Sequence, residues 1–211
     1  MAEPTGGDKR YERRDADTRR EEILAAMREL AAQGGVVDLS ISAVTKRVGC
    51  TRSLFYHYFS SKEEALDAAL DQIIDGFVDR LRAWNAGRVH GDIEGSLDSV
   101  VALIKELVLE DQGLPKAFDT HGDAALYTGF VHRVADRAAA YIVDSTVQDF
   151  ARFHSVRIDH VYETFYVLIT GLVNFVRLHP ATDDATLKDI IASTLHIEGY
   201  TAKYAERRRD E

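Results

Sequence analysis

The groups best equipped for chemistry in this sequence lie close together. Thr51, Arg52, Ser53, Tyr56, His57 and Tyr58 share one short stretch, with Ser40 before it and Lys62 just after it. Their common chemistry is donation to anions and to the edges of bases. The Arg52 guanidinium is a planar fork that matches the O6 and N7 acceptors of a guanine. Ser53 can reach a base or a phosphate, and Thr51, Tyr56, His57 and Tyr58 carry donors suited to phosphate oxygens. Ser40 and Lys62 stand where helices begin. There a free backbone N–H, the helix dipole and a side-chain donor can converge on one anion.

These positions ask for two short helices and a tight turn within residues 39–62, LSISAVTKRVGCTRSLFYHYFSSK. Ser40 suits the N-cap of a helix over 41–48, where Ile41, Val44 and Val48 keep an inward spacing and Lys46 and Arg47 point elsewhere. Gly49 supplies the positive φ of the turn. Thr51 caps the second helix, and Leu54, Phe55 and Phe59 supply its packing groups. The pattern is a helix-turn-helix, whose second helix would enter a major groove by its N-terminal end. A supporting helix comes first. Thr18 and Glu21 make a capping box, Ile23, Leu24, Met27, Leu30 and Ala31 make one apolar stripe, and Gly34-Gly35 end it. Residues 1–16 read as a flexible arm, with Lys9, Arg10, Arg13 and Arg14 available to a phosphate or a minor groove.

After residue 60 the chain reads as helix throughout. Ser60 or Ser61 caps a long helix over 62–84, marked by Ala65, Leu66, Ala69, Leu70, Ile73, Ile74, Phe77, Leu81 and Trp84. Further helices are expected over 93–110, 124–150, 157–178 and 186–208, with breaks at 85–91, near Gly113 and Pro115, and at Pro180. The 157–178 helix is apolar on most sides, which places it in a core or an oligomer interface. Glu163, Asn174 and Arg177 argue against a membrane span. The expected fold is all-α: a three-helix DNA-binding domain over 17–62, then a helical domain over 63–211.

A net charge of −9 argues at first against a polyanionic partner, but the charge is unevenly placed. Residues 1–62 carry 11 Lys/Arg against 9 Asp/Glu, and the remainder 15 against 26. A mildly basic head on an acidic body would turn the head toward DNA. The single cysteine, Cys50, excludes an internal disulfide and gives no support for a zinc cluster. Together with an N-terminus that lacks a signal-peptide core, it fits a cytoplasmic protein. No phosphate loop, G-x-S-x-G elbow or H-E-x-x-H is present, so neither an enzyme nor a cofactor is expected. Asp119, His121 and Asp123 are close enough to suggest a metal but lack further ligands, and His154 and His160 do not share a helix face. The alternative reading is a helical adaptor or metal-binding protein without sequence-specific DNA binding.

The span from Thr18 to Leu70 closely resembles the DNA-binding domain of the TetR/AcrR family of bacterial transcription regulators. The residues that carry the resemblance are the 41–49 helix and turn, Thr51, the run Leu54-Phe55-Tyr56-His57-Tyr58-Phe59, and Ser60-Ser61-Lys62-Glu63. Cys50 departs from it, since the family usually has a hydrophobic residue there. The resemblance implies a homodimer, with helices 157–178 and 186–208 of each subunit forming the interface and Gly171 allowing close approach. It implies a double-stranded palindromic operator, a ligand-responsive repressor and an unknown small-molecule effector. It also implies a ligand cavity in the C-terminal domain. Phe77, Leu81, Trp84, Leu103, Leu107, Phe118, His121, Tyr127, Phe130, Tyr162, Tyr166, Thr170 and Asn174 are the candidates to line it. His121, Thr170 and Asn174 stand out because buried polar groups need partners, although a bond between subunits would serve Asn174 equally well.

Overall fold

The computed structural model describes residues 6–36, 38–110, 124–153 and 158–201, and every element among them is helical. They form two compact units divided within one long helix, the first running up to Ile73 and the second starting at Ile74.

The first unit contains α1 (Gly6–Gly34), α2 (Ile41–Val48), α3 (Arg52–Tyr58) and the start of α4 (Lys62–Gly87). α1 packs on α2 and α2 on α3. Ile23, Leu24 and Met27 of α1, Val44 of α2, Phe55 of α3 and Ala65 of α4 have no exposed surface, and Phe59 is nearly as buried. Burying a large apolar side chain contributes about 1.5–3 kcal/mol, so this small core rests mainly on α1 and the two phenylalanines flanking α3. α1 starts earlier than Thr18, which therefore lies inside the helix instead of capping it. Residues 8–14 are mostly Lys, Arg and Glu, whose straight side chains lose little freedom in a helix. The C-terminal end is as expected: Gly35 takes φ 82° and its N–H bonds Ala31 O at 2.8 Å.

The second unit contains the rest of α4, α5 (Ile93–Lys105) with a π-helical turn at Glu106–Glu110, α6 (Ala124–Asp144), α7 (Thr146–Phe153), α8 (Val161–Leu178), α9 (Asp184–Thr194) and a 3-10 turn at Glu198–Tyr200. Its main core joins Ile93, Leu97 and Val101 of α5 to Leu168, Leu172 and Val176 of α8 and to Leu187 and Ile191 of α9. A smaller cluster gathers Leu81, Ala138 and Ile142 with Trp84, Leu103 and Tyr141. By length and composition α8 could cross a bilayer, but its Leu168, Leu172 and Val176 are buried in the main core.

Three helices of the second unit also differ from the sequence expectation. The 124–150 helix breaks at Ser145, whose Oγ donates to Tyr141 O at 2.6 Å, while Thr146 Oγ1 donates to the buried Asn85 Oδ1 at 3.1 Å. The helix expected from residue 157 starts at Val161, behind His160 at φ 51°. The helix expected over 186–208 is the largest correction. It starts earlier, where Asp183 accepts from Thr186 N at 2.8 Å, and stops at Thr194. Leu195 and Ile197 are both buried. Two residues apart on a helix point to opposite sides, so burying both in one core requires the chain to leave the helix, which it does through His196 at φ 55°. Tyr204 and the rest of that expected helix lie outside the described residues.

Candidate nucleic-acid interface

α2, the turn and α3 are set by three local bonds. Ser40 Oγ accepts from Ala43 N at 3.2 Å, and Thr51 Oγ1 accepts from Leu54 N at 3.1 Å. Gly49 holds φ 72° with its N–H on Thr45 O. α3 is seven residues long, so its faces are separated by type. Arg52, Ser53, Tyr56 and His57 lie on one exposed side, Phe55 is buried on the other, and Leu54 and Tyr58 are half-buried. Tyr56 is 54% exposed although its ring meets Phe55 edge-on, with centroids 5.6 Å apart. His57 and Tyr58 also pack edge-on, at 5.1 Å. Phe55 and Phe59 stand 5.7 Å apart beneath the helix, with the Arg20 guanidinium 5.2 Å from the Phe59 ring.

The Arg52 guanidinium donates to Ser42 Oγ on α2. Ser42 was not singled out from the sequence, because its relation to Arg52 exists only once the two helices cross. Arg47 is turned onto α1 by a pair with Glu29, which holds its guanidinium pKa above the ordinary value. Lys46 is exposed on α2. Lys62 is half-buried at the start of α4, whose first turn is closed by Ser61 Oγ accepting from Glu64 N at 3.0 Å. The Glu64 carboxylate accepts from the Ser60 hydroxyl and from Ser60 N, and these bonds hold its pKa below the ordinary value. The N-terminal ends of α2, α3 and α4 each have their cap formed, and Ser40, Thr51, Arg52 and Ser53 are exposed at the first two of them.

The second unit holds a cavity of about 160 Å3. Of the residues expected to line it, Leu81 and Trp84 do. The remainder of its wall comes chiefly from α5 (Ile93, Leu97, Val100, Ile104) and α8 (Phe165, Leu168, Ile169, Leu172). Phe77 and Phe130 instead stack edge-on at 6.1 Å, and Tyr127 lies under Arg177 at 4.0 Å. Tyr162 and Tyr166 line a shallow depression with His132 and Asp136, where Tyr162 Oη donates to Asp136 Oδ1 at 2.5 Å. Leu103 packs in the smaller core and Leu107 lies in the π-helical turn. Asn174 Nδ2 donates to Thr170 O of its own helix at 2.8 Å. Thr170 Oγ1 is buried without a hydrogen-bond partner among the described residues. Phe118, His121, Asp119 and Asp123 lie outside the described residues.

A buried asparagine bonds two residues of the cavity wall, Arg88 and Thr146. Asn85 Nδ2 donates to Tyr141 Oη at 3.1 Å, and its Oδ1 accepts from Arg88 Nε at 2.7 Å as well as from Thr146. α8 also has an outward face. Glu163, Val167, Gly171, Phe175 and Leu178 are exposed at helical spacing, and Val167 and Leu178 are 68% and 74% exposed. A Cβ added at Gly171 would meet nothing within 4 Å.

Residues 23–69 match the family model described as bacterial regulatory proteins, tetR family. The chain is 35% identical over 72 residues to the uncharacterized HTH-type transcriptional regulator YvdT of Bacillus subtilis, covering 34% of this chain and 35% of that protein. It is 32% identical over 79 residues to the HTH-type transcriptional activator FasR of Mycolicibacterium smegmatis, covering 37% of this chain and 36% of that protein. Each similarity thus spans about a third of the relative's length.

Proposed function

Residues 23–69 match the tetR family model, and from that premise we propose that the chain is a TetR-family, ligand-responsive transcriptional repressor that binds a palindromic operator as a homodimer in the cytoplasm. The observation that carries this reading is the division of α3: Arg52, Ser53, Tyr56 and His57 on its open side, Phe55 fixing it from behind. Arg52 and Ser53 read bases. Ser40, Thr51, Tyr56, His57, Tyr58 and Lys62 hold the backbone and set register. The partner subunit docks on the outward face of α8 and on α9, where Ile190 is 37% exposed. An apolar helix face of this length left open in a protomer is what a self-complementary two-fold interface requires. The effector occupies the cavity of the second unit.

Fluorescence anisotropy with duplex DNA flanking the gene tests the reading, at two salt concentrations. Specific binding falls in the range of about 10⁻⁸–10⁻¹¹ M and weakens with salt. Equal affinity for random duplex would refute it.

A further inference from the structure

The polar side chains in the wall of the second unit's cavity are already in use, and this gives the effector a chemical class. We propose that the cavity takes an uncharged aromatic hydrocarbon of about one ring, with neither donor nor acceptor, seated against Trp84. The inference deepens, and rests on, the ligand response proposed above.

Size comes first. At about 160 Å3 the cavity compares with an apolar protein cavity of about 150 Å3 that binds benzene. Protein interiors hold few voids larger than a water molecule, so a space this large asks for an occupant. The wall decides its kind. Val100, Ile104, Leu168 and Leu172 present only hydrocarbon. The polar side chains of the wall are bonded within the protein. Ser96 Oγ donates to Asp92 O at 2.6 Å, Thr146 Oγ1 to Asn85 Oδ1 at 3.1 Å and Trp84 Nε1 to Ser99 Oγ at 2.9 Å. Asp92 Oδ1 accepts from Gly95 N at 2.9 Å, and Arg88 Nε is bonded to Asn85. A water molecule needs about two to four polar partners to stay in such a space, and a hydroxyl or carboxylate on a ligand would be desolvated there without one. A hydrocarbon meets neither cost. The rings of Trp84 and Phe165 stand in the same wall and favour an aromatic occupant, since offset and edge-to-face ring contacts add to the burial of area. Gly91 and Asp92 line the cavity and are exposed, which gives the ligand a way in from water.

The test is calorimetric titration of the full chain, without DNA, with toluene and with phenol, which carries a hydroxyl in place of toluene's methyl. Toluene is expected to bind at least about tenfold more tightly, the order set by burying a hydroxyl without a partner. Trp84 is the chain's only tryptophan, so its emission, excited where neither ligand absorbs, should shift as toluene fills the cavity. Val100→Phe places a ring of the chain's own in the space and should remove toluene binding while helical content is kept. Toluene bound no more tightly than phenol by the unaltered chain, or not bound, overturns the proposal whether or not the variant folds. Toluene binding that leaves Trp84 emission unmoved, or that survives in folded Val100→Phe, also overturns it. The operator titration repeated with toluene separates the two readings: toluene that binds as expected but leaves operator affinity unchanged supports this site and refutes the ligand response.

Discussion

Arg52→Ala separates base reading from backbone holding. In the protein alone the change removes an exposed hydrogen bond to Ser42, so stability should move by no more than about 0.5 kcal/mol. On DNA it removes a side chain that projects from the first turn of α3 on its open face. A bidentate guanine contact is worth about 1–3 kcal/mol of discrimination, which is roughly 5- to 150-fold in operator affinity. Binding to random duplex should change far less. Lys46→Ala is the contrast, since Lys46 is an exposed cation on α2, the helix that lies across the backbone in a helix-turn-helix. It should weaken operator and random duplex by the same factor and lower the slope of log affinity against log salt by about 0.9. Both are read by anisotropy across a salt series. If Arg52→Ala weakens the two duplexes equally and lowers the slope, Arg52 is a phosphate contact and the assignment of base reading to it is wrong.

Phe55→Ala removes a ring with no exposed surface beneath α3 and should cost about 3–5 kcal/mol in denaturant unfolding, with operator binding lost in proportion. Val167→Asp combined with Phe175→Asp places charge on the open face of α8 and should yield monomers in sedimentation with unchanged helical content; dimers that persist would move the interface elsewhere. Glu64 gives a pH effect of definite sign. Its folded pKa is lowered, first by the Ser60 hydroxyl and then by the Ser60 amide. Its contribution is therefore present above the unfolded value, about 4.3, and is lost as pH falls through the folded one. The gap in unfolding midpoint between the native chain and Glu64→Ala should close over that acid range and stay constant above it.

α2, α3 and the start of α4 were legible because each is announced locally, whereas the start of α1 was not, Thr18 lying inside it. Ser40, Gly49, Thr51 and Ser61 act on neighbours within four positions, and they do in the structure what their types suggest. The second unit depends on distant pairings. The break at Ser145 stands beside a hydrogen bond from Thr146 to Asn85, 61 positions away, and no periodicity in either segment shows this. The end of α9 is similar: Leu195 and Ile197 leave the helix because the core formed by α5 and α8 receives both. The cavity wall departs from the sequence expectation for a related reason: the expected lining is aromatic and polar, whereas the wall is mostly the plain aliphatic stripe of α5 facing that of α8. Only the packing of the two stripes reveals that they leave space between them. Ser42 was missed because it acts through a neighbour on another helix.

α4 is one continuous helix that supplies Leu66 and Leu70 to the first unit and Leu81 and Trp84 to the cavity of the second. That continuity alone does not make a switch. A ligand held only by the aliphatic wall gains its burial energy in any conformation that keeps the wall intact, and a ligand with equal affinity for two states shifts neither, however tightly it binds. Regulation requires a contact made better in one state than in the other. Leu81 and Trp84 come from α4, whereas the α5 and α8 stripes belong to the main core of the second unit. Under the proposed ligand response, contacts to Leu81 and Trp84 are therefore where an effector would discriminate between states. Linkage makes the consequence reciprocal: whatever factor such an effector would take from operator affinity, bound operator would take from the affinity for the effector.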